Sequence, residues 1–333
     1  MKKSLIQLLM VLAVSGLFVV GCKKSDQGPD VQADPPGVTN ETTALTYAAT
    51  IDAFVQNDQV TFVDQAVENS NISTFGKVDS AIIPVRWGRF INPGGITRTV
   101  TVTVLPGDTI AVVNVQREVL GNFAILAKSN PTDTVFYLIQ KPFHDHTNRN
   151  VVFKRAMRTG LFMGRWVPVA TSLVDGATVP PDHKISLTRV AVYYPNGDSL
   201  VVTHPDTTFL LYRWTRLFVP SRKDVPEFTP GDRVNIQVTV LSKDATGDLV
   251  ALRYGVNAMH HKRALLDLLS EVNNGDGTYT RVYETSRNPA RFLFMHYHTG
   301  WFHMGIDAIT KETLLENPAP YSASWWGVPY RVF

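Results

Sequence analysis

Period-two alternation of apolar and polar residues begins near Ile82 and is clearest in "RTVTVTVL", where Val100, Val102 and Val104 interleave with Thr99, Thr101 and Thr103. Successive strand side chains point to opposite faces, so this spacing predicts a strand with one valine face. Pro106-Gly107-Asp108 turns the chain into a second strand over Thr109 to Glu118. Further strands are expected at Thr134 to Ile139, Asn150 to Met157 and Arg165 to Leu173, with "HDHTNR" (His144 to Arg149) read as a loop after Pro142. A different period precedes them. Ala44, Tyr47, Ala48, Ile51, Phe54 and Val55 fall at i, i+3, i+4, i+7 spacing and predict a helix, and Phe62, Val63, Ala66 and Val67 predict a short second one.

Helices followed by a run of strands predict an α+β arrangement, a helix-covered curved antiparallel sheet over residues 43–175. Beyond Asp175 a Gly/Pro-rich break, "DGATVPPDH", leads into short strands separated by "PNGD", "TPGD", "TGD" and "NNGDG". Regular strands with turn chemistry between them predict an all-β C-terminal domain over 185–333, a β-sandwich. "NNGDG" echoes a calcium loop, but Asp276 is its only carboxylate, so a hairpin turn is expected.

The N-terminal residues carry a different pattern. Lys2 and Lys3 precede an almost wholly apolar run from Leu5 to Val20, which ends at Val19-Val20-Gly21-Cys22. This is the make-up of a secretory leader over residues 1–21. The tripeptide before Cys22 resembles the lipobox of bacterial lipoproteins. That resemblance implies acylation of Cys22, cleavage before it, attachment to a membrane through the lipid, and, with Lys23 rather than an aspartate next, transit to an outer membrane. Residues 22–42, rich in Asp, Gly, Pro, Asn and Thr, read as a solvated tether. Cys22 is the only cysteine, so the sequence offers no disulfide, no second thiolate and no cysteine-based metal site.

Within 43–175, "VTVTVLPGDTIAVVNVQREVLGNFAI", "NRNVVFKRA" and "GRWVPVATSL" resemble the nuclear-transport-factor-2-like (SnoaL-like) cone fold. The resemblance implies a cone-shaped pocket that a small-ligand carrier or enzyme would use. The later segment resembles, in pattern, an immunoglobulin-like domain without cysteines.

Candidate chemistry is sparse. In "RWGRF", Trp87 and Arg89 are candidates for a pocket mouth, the plainer expectation being Trp87 in the core with Arg86 and Arg89 outside. His144 and His146 would share a face if they lay in a strand, as a metal site needs, but lack further ligands in the local sequence. "MHYHTGWFHMG" places His296 and His298 two apart with His303 close by, a weak candidate for zinc or copper. Trp301, Trp325 and Trp326 would stack on sugars if exposed and would fill a core if buried. No Gly-x-Ser-x-Gly, His-Glu-x-x-His or phosphate-binding loop occurs, and no cofactor is implied.

The formal charge of +3 includes the two leader lysines, leaving the rest near neutral. Short basic runs such as "HHKR" (His260 to Arg263) are ordinary solvated faces, so a nucleic-acid partner is not expected. The sequence therefore supports a membrane-anchored envelope protein, more a binding or structural module with a protein or glycan partner than an enzyme.

Overall fold

The structure is a computed structural model that describes residues 45–46, 82–107, 109–130, 132–155, 166–194, 197–211, 223–229, 234–254, 262–285 and 300–332. Strand dominates them. Three long strands open the described chain: β1 (Ile83–Val104), β2 (Ile110–Lys128) and β3 (Tyr137–Arg155). They form an antiparallel meander, and the register of β2 with β3 runs without a shift from Ile110↔Lys154 to Ala127↔Tyr137. In β3 burial alternates strictly along most of the strand, as a sheet with one covered face requires. The strand therefore continues straight through Pro142 and "HDHTNR", which the sequence pattern marked as a loop. The error has a physical origin: the face bearing His144, His146 and Asn148 is polar because it meets solvent, whereas the opposite face carries Phe143, Asp145 and Thr147 inward.

β4 (Trp166–Ser172) and β5 (Val174–Thr178) pair with successive stretches of β3. A second, five-stranded sheet has the order β14-β15-β11-β6-β7, from β6 (Ile185–Tyr193), β7 (Ser199–Val202), β11 (Asn235–Ser242), β14 (Asp267–Asn273) and β15 (Tyr279–Glu284). Between the meander and this sheet run β12 (Asp248–Tyr254), β13 (Lys262–Leu265), β16 (Gly300–Thr310) and β17 (Ala323–Val332), in the order β13-β12-β16-β17. β17 joins them to the meander through β5, so one twelve-stranded sheet draws on both sides of the Gly/Pro-rich break near residue 180. β8 (Phe209–Leu211), β9 (Lys223–Asp224) and β10 (Glu227–Phe228) are short additions to its edges.

β16 and β17 are buried on both faces from Met304 to Thr310 and from Ala323 to Tyr330. On one face Met304, Ile306, Ala308, Trp326, Val328 and Tyr330 pack with Val190, Val192, Ile236 and Val238 of the five-stranded sheet. On the other, Ile309, Ala323 and Trp325 pack with Trp87, Phe123, Ile125 and Phe143 of the meander. The large sheet thus folds back over itself. A short helix, α1 (Lys311–Leu315), closes one end of this second core through Leu314 and Leu315.

The expected α+β class is overturned. The described residues are nearly all strand, and among them the cover of the second core comes chiefly from antiparallel strands rather than from helices. The cone fold implied by the nuclear-transport-factor-2-like resemblance falls with it. An apolar sheet face must be covered, and over the second core the described cover comes from β16 and β17. Leu45 and Thr46 are helical, and Leu45 is buried with Ala111, Val113, Val151 and Phe153, although the helical pattern had put Ala44, Tyr47 and Ala48 on the inner face. The rest of the two expected helices lies outside the described residues.

The close approach of β5 to β17 depends on Gly176. A Cβ there would stand 2.2 Å from Cε2 of Trp325, a rigid indole with no room to retreat inside the core. Gly176→Ala is expected to lower stability by about 1–3 kcal/mol through overpacking, read as a drop in the urea-unfolding midpoint.

Candidate functional site

Asp307 lies on β16 in the doubly buried stretch, on the same face as Ile309, and its side chain is 3% exposed. Arg89 of β1 reaches across the second core and grips it with both guanidinium ends, Nη2 to Oδ1 at 2.7 Å and Nη1 to Oδ2 at 3.1 Å. Arg253 of β12 donates from Nη2 to the same Oδ2 at 2.5 Å. Forked guanidinium–carboxylate pairing is the strongest neutralisation available to a buried acid.

The network continues through Tyr321, just before β17. Its hydroxyl accepts from Arg89 Nε at 2.5 Å and donates to Asp145 Oδ2 at 3.3 Å. Asp145, on β3 and fully buried, also accepts from Thr178 Oγ1 of β5 at 3.1 Å. Thr178 Oγ1 in turn accepts from the Ala323 amide at 2.9 Å, which ties the group to β17. The Tyr321 ring stands 5.3 Å from Phe123 and 5.2 Å from Phe143, and the Arg89 guanidinium lies over it at 5.4 Å. Two arginines and two aspartates are thus gathered among aromatic rings.

Burial pushes Asp145 up to about 6, against the opposing pull of the Arg89 charge and the Thr178 and Tyr321 hydrogen bonds. Burial also drives Tyr321 well above the usual phenol range, so it remains a protonated donor. The arrangement can hold or release one proton at Asp145. Its members turn their polar atoms toward one another.

A second buried pair ties the two sheets. Arg281 of β15 meets Asp248 of β12 at 2.8 Å, with Ser242 donating to the other Asp248 oxygen at 2.7 Å and Glu271 accepting from Arg281 Nε at 2.5 Å. Near α1, Lys141 of β3 donates from Nζ to the carbonyls of Thr313 and Glu316, both at 2.6 Å, which caps the helix C-terminus. Burial lowers Lys141 to about 8, although the charges of Glu312 and Glu316 oppose that shift.

The outer, solvent-facing side of the meander carries a third group. Glu118 of β2 stands directly opposite His146 of β3, and His144 is two residues away on the same face. His146 Nδ1 lies 2.7 Å from Glu118 Oε1, and His144 Nε2 lies 2.7 Å from Oε2. All three side chains are about half exposed. Slight burial raises the Glu118 carboxyl, but the histidine hydrogen bonds and charges outweigh it and hold Glu118 below the ordinary value. Alongside, Asn114 donates to Asn148 at 2.7 Å and to Asn150 at 2.8 Å, continuing a polar ladder across the two strands.

The residues singled out from sequence separate. Trp87 is buried in the second core, as the plainer reading expected. Arg89, expected outside, is 1% exposed: residues two apart in a strand share a face, so burying Trp87 brings Arg89 in with it. Trp325 and Trp326 are 3% and 2% exposed and fill opposite cores, and Trp326 Nε1 donates to Asp175 at 3.0 Å. Trp301 and His303 pair through β16 with Arg331 and Pro329 of β17. Cys22, His296 and His298 lie outside the described residues. "NNGDG" forms the turn between β14 and β15, where Asp276 accepts from the Thr278 amide and hydroxyl.

Asp145, Asp307, Arg253, Tyr321 and Glu118 escaped the sequence reading. The signal for Asp307 and Arg253 was available as lone charges inside apolar strands, "MGIDAIT" and "LVALRYG". Their partners were not, because pairing between distant strands is absent from local pattern. The chain matches no family model, no curated protein and no solved structure.

A raised folded-state value means that Asp145 binds its proton more readily folded than unfolded between pH 3.8 and about 6. Its favourable contribution is therefore full below the unfolded value and is lost as pH rises through about 6. Asp145→Asn, which stays neutral, is expected to lose this dependence: the stability gap between variant and wild type should move in the variant's favour from pH 4 to pH 7. Urea unfolding of both proteins across that range reads it.

Proposed function

We propose that the chain is a lipid-anchored protein of the bacterial cell envelope, serving as a non-enzymatic binding or structural module. The observation that carries the reading is Cys22, the chain's one cysteine, placed at the end of an apolar run behind Val19-Val20-Gly21 and followed by a solvated tether. Acyl chains on that residue, each buried methylene contributing about 0.8 kcal/mol, are enough for stable membrane attachment. Lys23 favours the outer membrane as the destination.

The modular part of the reading is supported by strand order. With β6, β11, β12, β13, β14, β15, β16 and β17 taken as strands A, B, C, C′, D, E, F and G, the five-stranded sheet reads A-B-E-D with β7 added outside A, and the facing stretch of the large sheet reads G-F-C-C′, an order similar to that of an immunoglobulin-like sandwich. The Arg281–Asp248 pair then links strands E and C across the sandwich in a protein with no disulfide to do so. The edge of strand G is covered by β5, an arrangement that protects a sheet from unwanted pairing. A non-enzymatic role is supported by the second core, where charged groups neutralise one another among packed aromatics. Proteins with such sandwiches present their surfaces and loops to partners, and a protein or glycan on the envelope is the class of partner this reading takes.

Cys22→Ala is expected to abolish acylation and leader processing. Metabolic labelling with a clickable fatty acid, followed by membrane fractionation, checks it: label and the processed form should both disappear. Mature variant protein that still partitions with membranes would refute the anchor.

A further inference from the structure

One stretch of the meander leaves its edge open. Among the described residues β1 pairs with β2 alone, and the register runs without a shift from Ile96↔Val119 to Val104↔Ala111. Leu105 donates its amide to the carbonyl of Ile110, the residue directly opposite it in this register. Backbone groups alternate in direction along an antiparallel strand, so Thr103, Thr101, Thr99 and Thr97 also bond toward β2. The peptide groups of Val104, Val102, Val100 and Ile96 therefore point away from it. Native sheets blunt such edges with lysine, proline or bulges. "ITRTVTVTV", Ile96 to Val104, has none of these, and its only charge is Arg98.

We propose that this edge is the interface of a homodimer, in which β1 of one copy pairs antiparallel with β1 of a second copy about a two-fold axis at Val100. The stretch is complementary to itself in that register. Val100 faces Val100 of the second copy and Ile96 faces its Val104, so outward-pointing peptide groups meet one another along the stretch. On the outer face, exposed Thr97 and Thr99 meet Thr103 and Thr101 of the second copy, cross-strand pairs that favour a sheet. On the inner face Val100, Val102 and Val104 are only partly buried against Ala111, Val113, Val151 and Phe153, and the second copy's valines extend that core. The two Arg98 residues fall about 14 Å apart along the strands, beyond the roughly 8 Å over which exposed charges act at physiological salt.

Backbone chemistry selects this axis over its neighbours. An axis at Thr101 or Val102 sets Pro106, which has no amide to give, opposite Ile96 or Arg98. An axis at Thr99 sets Val104 against Gly94, in the irregular stretch between Ile91 and Ile96. Each copy contributes the same edge, so the assembly closes at two copies and does not grow into a filament. The inference goes beyond the envelope reading and is independent of the lipid anchor.

Register-specific disulfide trapping of the detergent-solubilised full-length chain, with micelles in excess over chains, tests it. Thr99 stands opposite Thr101 of the second copy in a pair that is not hydrogen-bonded, where Cα atoms lie about 4.5 Å apart, within disulfide reach. Mixed Thr99→Cys and Thr101→Cys chains are expected to form a covalent dimer at least about tenfold faster than either chain alone or than Thr97→Cys mixed with Thr101→Cys. The wild-type chain gives the background from Cys22. Sedimentation equilibrium should give a dimer for the wild type. Val100→Pro, whose lost amide points away from β2, should raise the dissociation constant at least about tenfold. Circular dichroism verifies folding, and Val100→Lys replaces the proline variant if that one fails to fold. A wild-type chain that stays monomeric overturns the proposal, including the case in which this edge takes a strand from a different protein. So does trapping with no preference for Thr99 with Thr101, or a dimer as tight in the Val100 variant.

Discussion

Asp307 is the constraint around which this protein is arranged. A carboxylate in a strand buried on both faces cannot keep its charge unless cations are brought to it, and an isolated buried charge costs far more than a domain can spare. Two arginines from different strands meet it, one from β1 and one from β12. The Arg89 contact lies across the second core, so the ion pair, together with Tyr321, Asp145 and Thr178, specifies how the meander seats on β16 and β17. Aromatic packing supplies the bulk of that interface. The charged group supplies its register, because a shift of one residue in β1 would turn Arg89 away from Asp307.

The sandwich core against the five-stranded sheet and the aromatic core against the meander share two strands. In β17 the adjacent residues Trp325 and Trp326 fill one core each. Such a strand cannot show period-two alternation, and "SASWWGVPYRV" does not. Each core is consequently sensitive to the other, and a fault at Gly176 or Trp325 would be felt in both.

Most strands were legible because one of their faces meets solvent: "RTVTVTVL" announces its alternation, and the "PNGD" and "NNGDG" turns fall where hairpins close. What escaped was non-local. Period-two pattern broke down in β3 at "HDHTNR", where the buried residues Asp145, Thr147 and Arg149 are as polar as the solvent-facing ones, so no apolar position marks the alternation. The burial of Arg89 was within reach, since it follows from the burial of Trp87 two residues earlier, but its partner lies 218 residues away. Glu118 came to stand beside the two histidines through the register of the β2–β3 hairpin, which the sequence reading had cut into separate pieces. The helix-covered sheet was wrong for a related reason: an early helical pattern suggested helices as the cover, when over the second core strands from the far end of the chain provide it.

The role of the Arg89–Asp307 pair is tested most directly by a double-mutant cycle: urea unfolding of the wild type, Arg89→Met, Asp307→Asn and the double variant. The account predicts a coupling of at least about 1 kcal/mol, with the double variant more stable than the sum of the single losses implies, because removing both partners leaves no unpaired buried charge between them. Losses that add to within about 0.5 kcal/mol would contradict it, and would mean that the meander is held on β16 and β17 by apolar packing alone.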